Sequence, residues 1–446
     1  MLTELGHITD EPGRLTRTFL SPGMARANRL VGDCMAAAGL AVREDTVGNL
    51  IGRLEAAEVG RTGPVRRGGA SHSALPKTLL LGSHLDTVRD AGRFDGPLGV
   101  LLPIVALADL KVRGVKLPFA VEVLGFSEEE GVRFASSYLG SKGYCGKLTA
   151  KDLAMRDVDG ISVGEAIERW GGLSSSRSGK HAGNLLDYQR ARDLIGYLEV
   201  HIEQGPVLEA KNLAVGVVSA IAGQSRFKLT WSGKAGHAGT TPMALRKDAL
   251  AGAAEFVLAV EKLARSTTGL VATIGSLTTS PGAANVIPGS VVHTLDVRHA
   301  KDPARRAALF KLGRLAALIA KKRGLKVAWQ RTQDNGAVAC SPTLTARLEQ
   351  SVKAVQGRSL SLVSGAGHDG VVMSALCPIA MLFVRCRDGL SHHPDEYASP
   401  KDLAVALKVM IDFLGRLAVE HRMSPLPAAA GPVFVPGSRR GRNRGK

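Results

Sequence analysis

TLLLGSHLDTV, residues 78–88, decides the architecture. Thr78-Leu-Leu-Leu-Gly82 reads as a short apolar strand, and the chain then turns through His84 and Asp86. Leu98 to Val112 carries the pattern of a helix. Phe119 to Phe126 is a second strand, and it runs into the acidic loop Ser127-Glu-Glu-Glu-Gly131. Strand, loop with a chemically competent residue, then helix is the doubly wound α/β arrangement, in which ligands gather at the carboxyl ends of the strands.

Working outward, Pro22 to Gly39 reads as an amphipathic helix, followed by a strand ending near Arg53. Residues 55–77, rich in Gly, Ser, Ala and Arg, read as a surface loop. The texture changes near Gly216. Arg226–Trp231, Leu270–Leu277 and Ser290–Arg298 read as strands, and Asp248–Leu263 and Ala304–Arg323 as helices. This order suggests an inserted α+β unit of ferredoxin-like type over 215–334. The α/β texture then returns, with strands at Leu360–Val363 and Ala380–Val384 and a closing helix over Pro400–His421. The expected division is a discontinuous domain of 1–214 and 335–423, the insert, and a basic tail over 424–446 read as disordered.

At 446 residues the chain is long enough for two or three domains. No apolar run is long enough to span a bilayer. The opening MLTELGHITDEPGR has acids and no apolar stretch of the secretory kind. Five scattered cysteines, with no CxxC, favour reduced thiols and a cytoplasmic protein. A net charge of +18 raises the question of nucleic acid. The excess sits partly in Arg61–Arg67 and in the tail, without interleaved aromatics. The expectation is therefore no nucleic-acid partner, with a modest attraction for small anions.

Five separated segments each offer a metal ligand: His84, Asp95 in GRFDGPLG, Glu130 in SEEEGVRF, His201 in LEVHIEQGP and His392 in GLSHHPDE. Imidazoles mixed with carboxylates, and no thiolate, suit Zn²⁺ or Mn²⁺. Asp86, two residues past His84, can orient its imidazole. Asp95 can bridge two cations. Adjacent glutamates are costly unless a cation neutralises them, so one would bind metal and its neighbour would act as general base. Gln204 carries an amide suited to a ureido or amide group. Of His392 and His393, only one can face the site. His237 lies in a glycine-rich loop of the insert. Asn285 and Arg298, from the same insert, suit a carboxylate.

These motifs together resemble the dinuclear metal amidohydrolases of the M20 peptidase type, over nearly the whole chain. HIEQGP, GHAGTTPM and NVIPG point to the branch of allantoate amidohydrolase, N-carbamoyl-L-amino acid hydrolase and β-ureidopropionase. The resemblance implies a zinc-peptidase-like catalytic domain with an inserted lid that forms a homodimer. It implies two divalent ions, Zn²⁺ or Mn²⁺, bridged by Asp95 and completed by His84, Glu130, His201 and His392. Glu129 is then the general base. His237 is the oxyanion-stabilising residue, supplied across the dimer. Gln204, Asn285, Arg298 and His368 line the substrate, and Asp369 belongs to the same SGAGHD motif. The implied reaction is hydrolysis of a C–N bond in a small anionic ureido acid, above all allantoate to ureidoglycine, ammonia and CO₂. Carbamoyl amino acids are the alternative. A peptidase on the same scaffold would need a pocket for a free α-amine, and HIEQGP argues against it. A non-catalytic binding protein would be expected to lack ligands, and all five are present.

Overall fold

The computed structural model describes residues 1–57, 77–171 and 193–423. The basic tail and nearly all of the 55–77 segment lie outside these residues.

In chain order, β1 (Ala41–Glu44), β2 (Leu50–Leu54), β3 (Thr78–His84), β4 (Ala120–Phe126), β5 (Leu194–Ile202) and β6 (Val215–Ile221) open the large sheet. The insert follows with β7 (Gly223–Ser232), β8 (Gly236–His237), β9 (Val271–Thr273), β10 (Leu277–Ser280), β11 (Val286–Ile287), β12 (Ser290–His299) and β13 (Lys326–Asn335). β14 (Val338–Ala339), β15 (Ser361–Ser364) and β16 (Ile379–Val384) return to the large sheet. Its order is β1-β2-β4-β3-β5-β16-β6-β14, with β15 on β6.

Four neighbours in the middle, β4, β3, β5 and β16, run parallel. Every residue of β3, β4 and β16 is buried. Successive side chains enter different cores. Leu79 and Leu81 join the helices Pro22–Ala38, Pro97–Val112 and Pro400–Met423 on one face, while Leu80 packs on the other with Tyr197, Met381 and Phe383. A strand covered on both faces needs an unbroken apolar run, which is why residues 78–81 carry no alternation. Because the four strands are parallel, their carboxyl ends share one edge. His84 ends β3, the three glutamates follow β4, His201 and Gln204 lie at the end of β5, and the His392 loop follows β16.

The second sheet is antiparallel, in the order β10-β12-β7-β13 with β9 on β12. Helices Ala249–Arg265 and Asp302–Arg323 cover one face around Trp231, Phe256 and Leu312. The order is ferredoxin-like, as the sequence suggested. Its register sets Gln224 opposite Arg298 and Arg226 opposite Asp296, on the face away from those helices.

Several details differ from the sequence reading. The change of sheet comes at Ala222 and not at 215, because β6 pairs with β16, β14 and β15. The expected strand 270–277 is two short strands that flank Ile274–Ser276. β13 and the helix Pro342–Gln356 were not foreseen. The helix is capped by Ser341, whose side chain accepts from the Leu344 N–H, with Pro342 in its first turn.

Candidate metal centre and substrate pocket

At the shared strand edge, Asp95 stands between two groups of side chains. Its Oδ1 lies 3.0 Å from His201 Nε2 and 3.5 Å from His84 Nε2. Its Oδ2 lies 3.5 Å from His392 Nε2 and 2.8 Å from the Gln204 amide nitrogen. His392 Nε2 is also 3.6 Å from Glu130 Oε1. Ligand-capable atoms converge in three sets: His84, Asp95 and His201; His84, Glu129 and Glu130; and Asp95, Glu130 and His392. The structure thus gathers all five expected metal residues and the expected base in one place. His393 turns away, exposed, with its Nδ1 accepting from the Asp395 N–H.

The donor set fits divalent cations on its own chemistry. His84 Nδ1 meets the Asp86 carbonyl at 3.1 Å, and His201 Nδ1 meets the Ile202 carbonyl at 2.9 Å. A carbonyl can only accept, so Nδ1 carries a proton in each ring, and Nε2, which faces the cluster, is the atom that would bind a cation on giving up its own proton. The surrounding carboxylates lack sufficient protein cations. Burial, and then Glu130, push Glu129 well above the usual carboxylate range. Burial and Asp95 push Glu130 up to about 8. Asp95 goes the other way: burial alone would raise it, but His201 and His84 outweigh burial and hold it low. Acids this crowded are what a bound cation would relieve.

The loops are held from behind. Asp86 touches His84, and its carboxylate also accepts the N–H groups of Glu129 (3.0 Å) and Glu130 (3.2 Å). It therefore fixes one strand-end loop against another. Gly96 has φ 81°, and a Cβ there would overlap the His84 ring, so only glycine lets the imidazole reach the cluster. Glu396 was not identified from sequence. Its Oε1 accepts from the Phe94 and Asp95 N–H groups at 2.8 and 3.0 Å, tying the His392 loop to the Asp95 loop. Burial and Asp95 raise it to about 7. The only sequence signal was its place in HHPDE.

His368 differs from expectation. It is 1% exposed and lies behind His201, with ring centroids 4.5 Å apart and its Nε2 2.7 Å from Ser364 Oγ. It buttresses the imidazole and does not line the pocket. Asp369 is buried beside it, and among the described residues neither of its oxygens has a hydrogen bond.

A pocket of about 260 Å³ opens on the cluster, walled on the insert side by Gln224, Arg226, Arg298 and Gln333. A wider cavity of about 1060 Å³ continues between the two sheets. Arg298 donates to both oxygens of Asp296 at 2.9 Å and to the Gly365 carbonyl at 2.5 Å, spanning from β12 to the loop after β15. Arg226 and Gln224 donate to the same Asp296 Oδ2. Only Arg298 of this group was picked out from sequence. Among the described residues, the buried Oε1 of Gln204 is unpaired beside the cluster.

His237 and Asn285 do not line this pocket. They sit together, exposed, on the β8–β11 ribbon, where the Ala238 N–H donates to the Asn285 carbonyl. His237 Nδ1 accepts from the Gly239 and Thr240 N–H groups at 3.0 and 3.2 Å, which leaves Nε2–H as a donor pointing outward.

The profile of Peptidase family M20/M25/M40 matches residues 80–416. Allantoate deiminase 2 of Glycine max is 38% identical, with 94% of this chain and 88% of that protein covered. The N-carbamoyl-L-amino acid amidohydrolase of Geobacillus stearothermophilus is 39% identical over 94% and 97%. A hydantoinase/carbamoylase-family amidase from Burkholderia multivorans superposes with a TM-score of 0.82 at 32% identity, over 94% and 96%.

Proposed function

The chain belongs to the M20/M25/M40 peptidase family, and from that premise we propose that it hydrolyses a non-peptide C–N bond in a ureido acid, with allantoate as the first candidate. The products would be ureidoglycine, ammonia and CO₂. The observation that carries this reading is Asp95, shared between His84 and His201 through one oxygen and His392 and Gln204 through the other, with the Glu129 carboxylate beside it and arginines opposite.

We take the cofactor to be two divalent ions, Zn²⁺ or Mn²⁺, held by His84, Asp95, Glu130, His201 and His392. When bound, they would polarise the scissile carbonyl and acidify water. Glu129 takes the proton from water and returns it to the leaving nitrogen. Arg298 binds the substrate carboxylate, and the free Gln204 carbonyl oxygen accepts from a ureido N–H. His237 offers Nε2–H to the developing oxyanion and Asn285 assists at the carboxylate. Their place on an exposed ribbon supports delivery into the pocket of a second copy, so the working form is a homodimer joined through the insert, which acts as a lid. The five free cysteines support a reducing, cytoplasmic setting, where the reaction would serve purine breakdown. Among the described residues no helix is long and apolar enough to cross a membrane.

A second reading keeps the site and changes the substrate to N-carbamoyl-L-amino acids. It is favoured by the wide cavity beside the pocket, which has room for a side chain. Ammonia release from metal-reconstituted protein, with allantoate, N-carbamoyl-β-alanine and several N-carbamoyl-L-amino acids side by side, separates the readings. Preference for allantoate supports the first and preference for a carbamoyl amino acid the second. Activity on none, with metal bound, would overturn both.

A further inference from the structure

Tyr138 stands in the pocket wall between the acidic loop and the SGAGHD loop. Its backbone is in the left-handed region, at φ 70°, which a bulky side chain rarely adopts unless its surroundings force it. The forces are visible. The Tyr138 N–H donates to the carbonyl of Glu129 at 3.2 Å, and its own carbonyl accepts from the Lys142 N–H at 2.8 Å, opening the helix Leu139–Tyr144. The phenol is thereby aimed across the pocket at Gly367. A Cβ at Gly367 would overlap the Tyr138 hydroxyl and lie 3.9 Å from Glu129 Oε1, so the phenol tip and the base flank one point. Among the described residues the hydroxyl makes no hydrogen bond, although it borders a polar pocket.

Arg298 and Arg226 lie on the insert wall, with Glu129 and Tyr138 lining the same pocket. Charge would therefore turn the carboxylate end of a ureido acid to the arginines and leave the ureido end to Glu129 and Tyr138. A phenol is protonated at neutral pH and keeps lone pairs to accept. We propose that the Tyr138 oxygen accepts a hydrogen bond from the terminal nitrogen of the substrate's ureido group, so that Tyr138 selects ureido over simple acyl substrates. This rests on the proposed hydrolysis of ureido acids. Gly367 is the complementary feature, since its missing side chain leaves room for the hydroxyl.

The test compares an N-carbamoyl and an N-formyl derivative of the same L-amino acid, the second lacking the terminal nitrogen. In Tyr138→Phe, kcat/KM for the carbamoyl compound should fall by about threefold to tenfold, the worth of one neutral hydrogen bond, while that for the formyl compound stays level. Metal content by atomic emission should not change. Gly367→Ala should displace the phenol tip and lower the same ratio, and should add little once Tyr138→Phe is present, because the overlapping oxygen has gone. Equal losses on both compounds would mark a structural role and overturn the inference, as would no loss on either. A wild-type protein inactive on every ureido acid, with metal bound, would instead mark failure of the proposed function, and the inference would fall with it.

Discussion

Glu129 carries the clearest prediction at the level of single residues. If it moves the proton, Glu129→Gln should keep the metal and lose about two to four orders of magnitude in kcat. Full turnover in that variant would remove Glu129 from the mechanism. Arg298→Ala should raise KM for a carboxylate substrate by about tenfold to a hundredfold, the scale of a charged hydrogen bond, and leave the neutral amide analogue unaffected. Equal effects on both would show that Arg298 acts only through its bonds to Asp296 and the Gly365 carbonyl. At this scale the sequence was readable wherever the chemistry is contiguous. His84 with Asp86, Glu129 with Glu130, and His201 with Gln204 sit beside strand ends, and type and spacing mark each pair as a candidate for the site where the structure brings them together. His368 was placed at the substrate by the resemblance of the SGAGHD motif, and only tertiary packing shows it behind His201. Glu396 was hidden for a different reason. Its partners, Phe94 and Asp95, are some three hundred residues away, and no local pattern encodes that contact.

At the level of elements, the β1–β2 hairpin is fastened to the acidic loop through one carboxylate. Asp45 accepts from the Val47 and Asn49 N–H groups and from the Asn49 amide, and Asn49 in turn receives the Ser127 N–H. Burial raises Asp45 to about 6, against the pull of those hydrogen bonds. The folded value lies above the unfolded one, so the folded chain binds the extra proton. Stability from this group is therefore fully present below about pH 4 and is lost as pH rises through about 6. The stability difference between wild type and Asp45→Asn, from urea midpoints, should shrink over that window and be flat above it. A difference constant from pH 4 to 7 would refute the shift. Of the strands around the site, β3 and β16 were legible from their apolar runs. β13 was not: its residues run from half-buried to exposed, and Lys326–Asn335 holds too little apolar periodicity to stand out.

At the level of the whole molecule, the proposed ion site and the proposed dimer make separate predictions. Ions that bind only the folded chain stabilise it by roughly 3 kcal/mol per site at about a hundredfold excess over Kd. Chelation should therefore lower Tm, and Zn²⁺ or Mn²⁺ should restore it. An unchanged Tm would mean that the cluster is satisfied without metal. If His237 serves a neighbouring copy, His237→Ala and Glu129→Gln chains, each nearly inactive, should complement after mixing. Random pairing gives half hybrids with one intact site each, or about a quarter of wild-type activity. No recovery would place His237 in its own chain's chemistry or in none.

The parallel quartet β4-β3-β5-β16 also has a consequence for synthesis on the ribosome. Its strands leave in the order β3, β4, β5 and β16, and the His392 loop that closes the ion site follows the last of them. Until then a nascent chain carries Asp95, Glu129 and Glu130 with neither the His392 imidazole nor the Glu396 clasp. Its acids must remain hydrated or protonated, and the sheet between β5 and β6 has an open slot where β16 belongs. Under the proposed function, loading of the ions would thus be a late event, coupled to insertion of a central strand rather than to the growth of an edge.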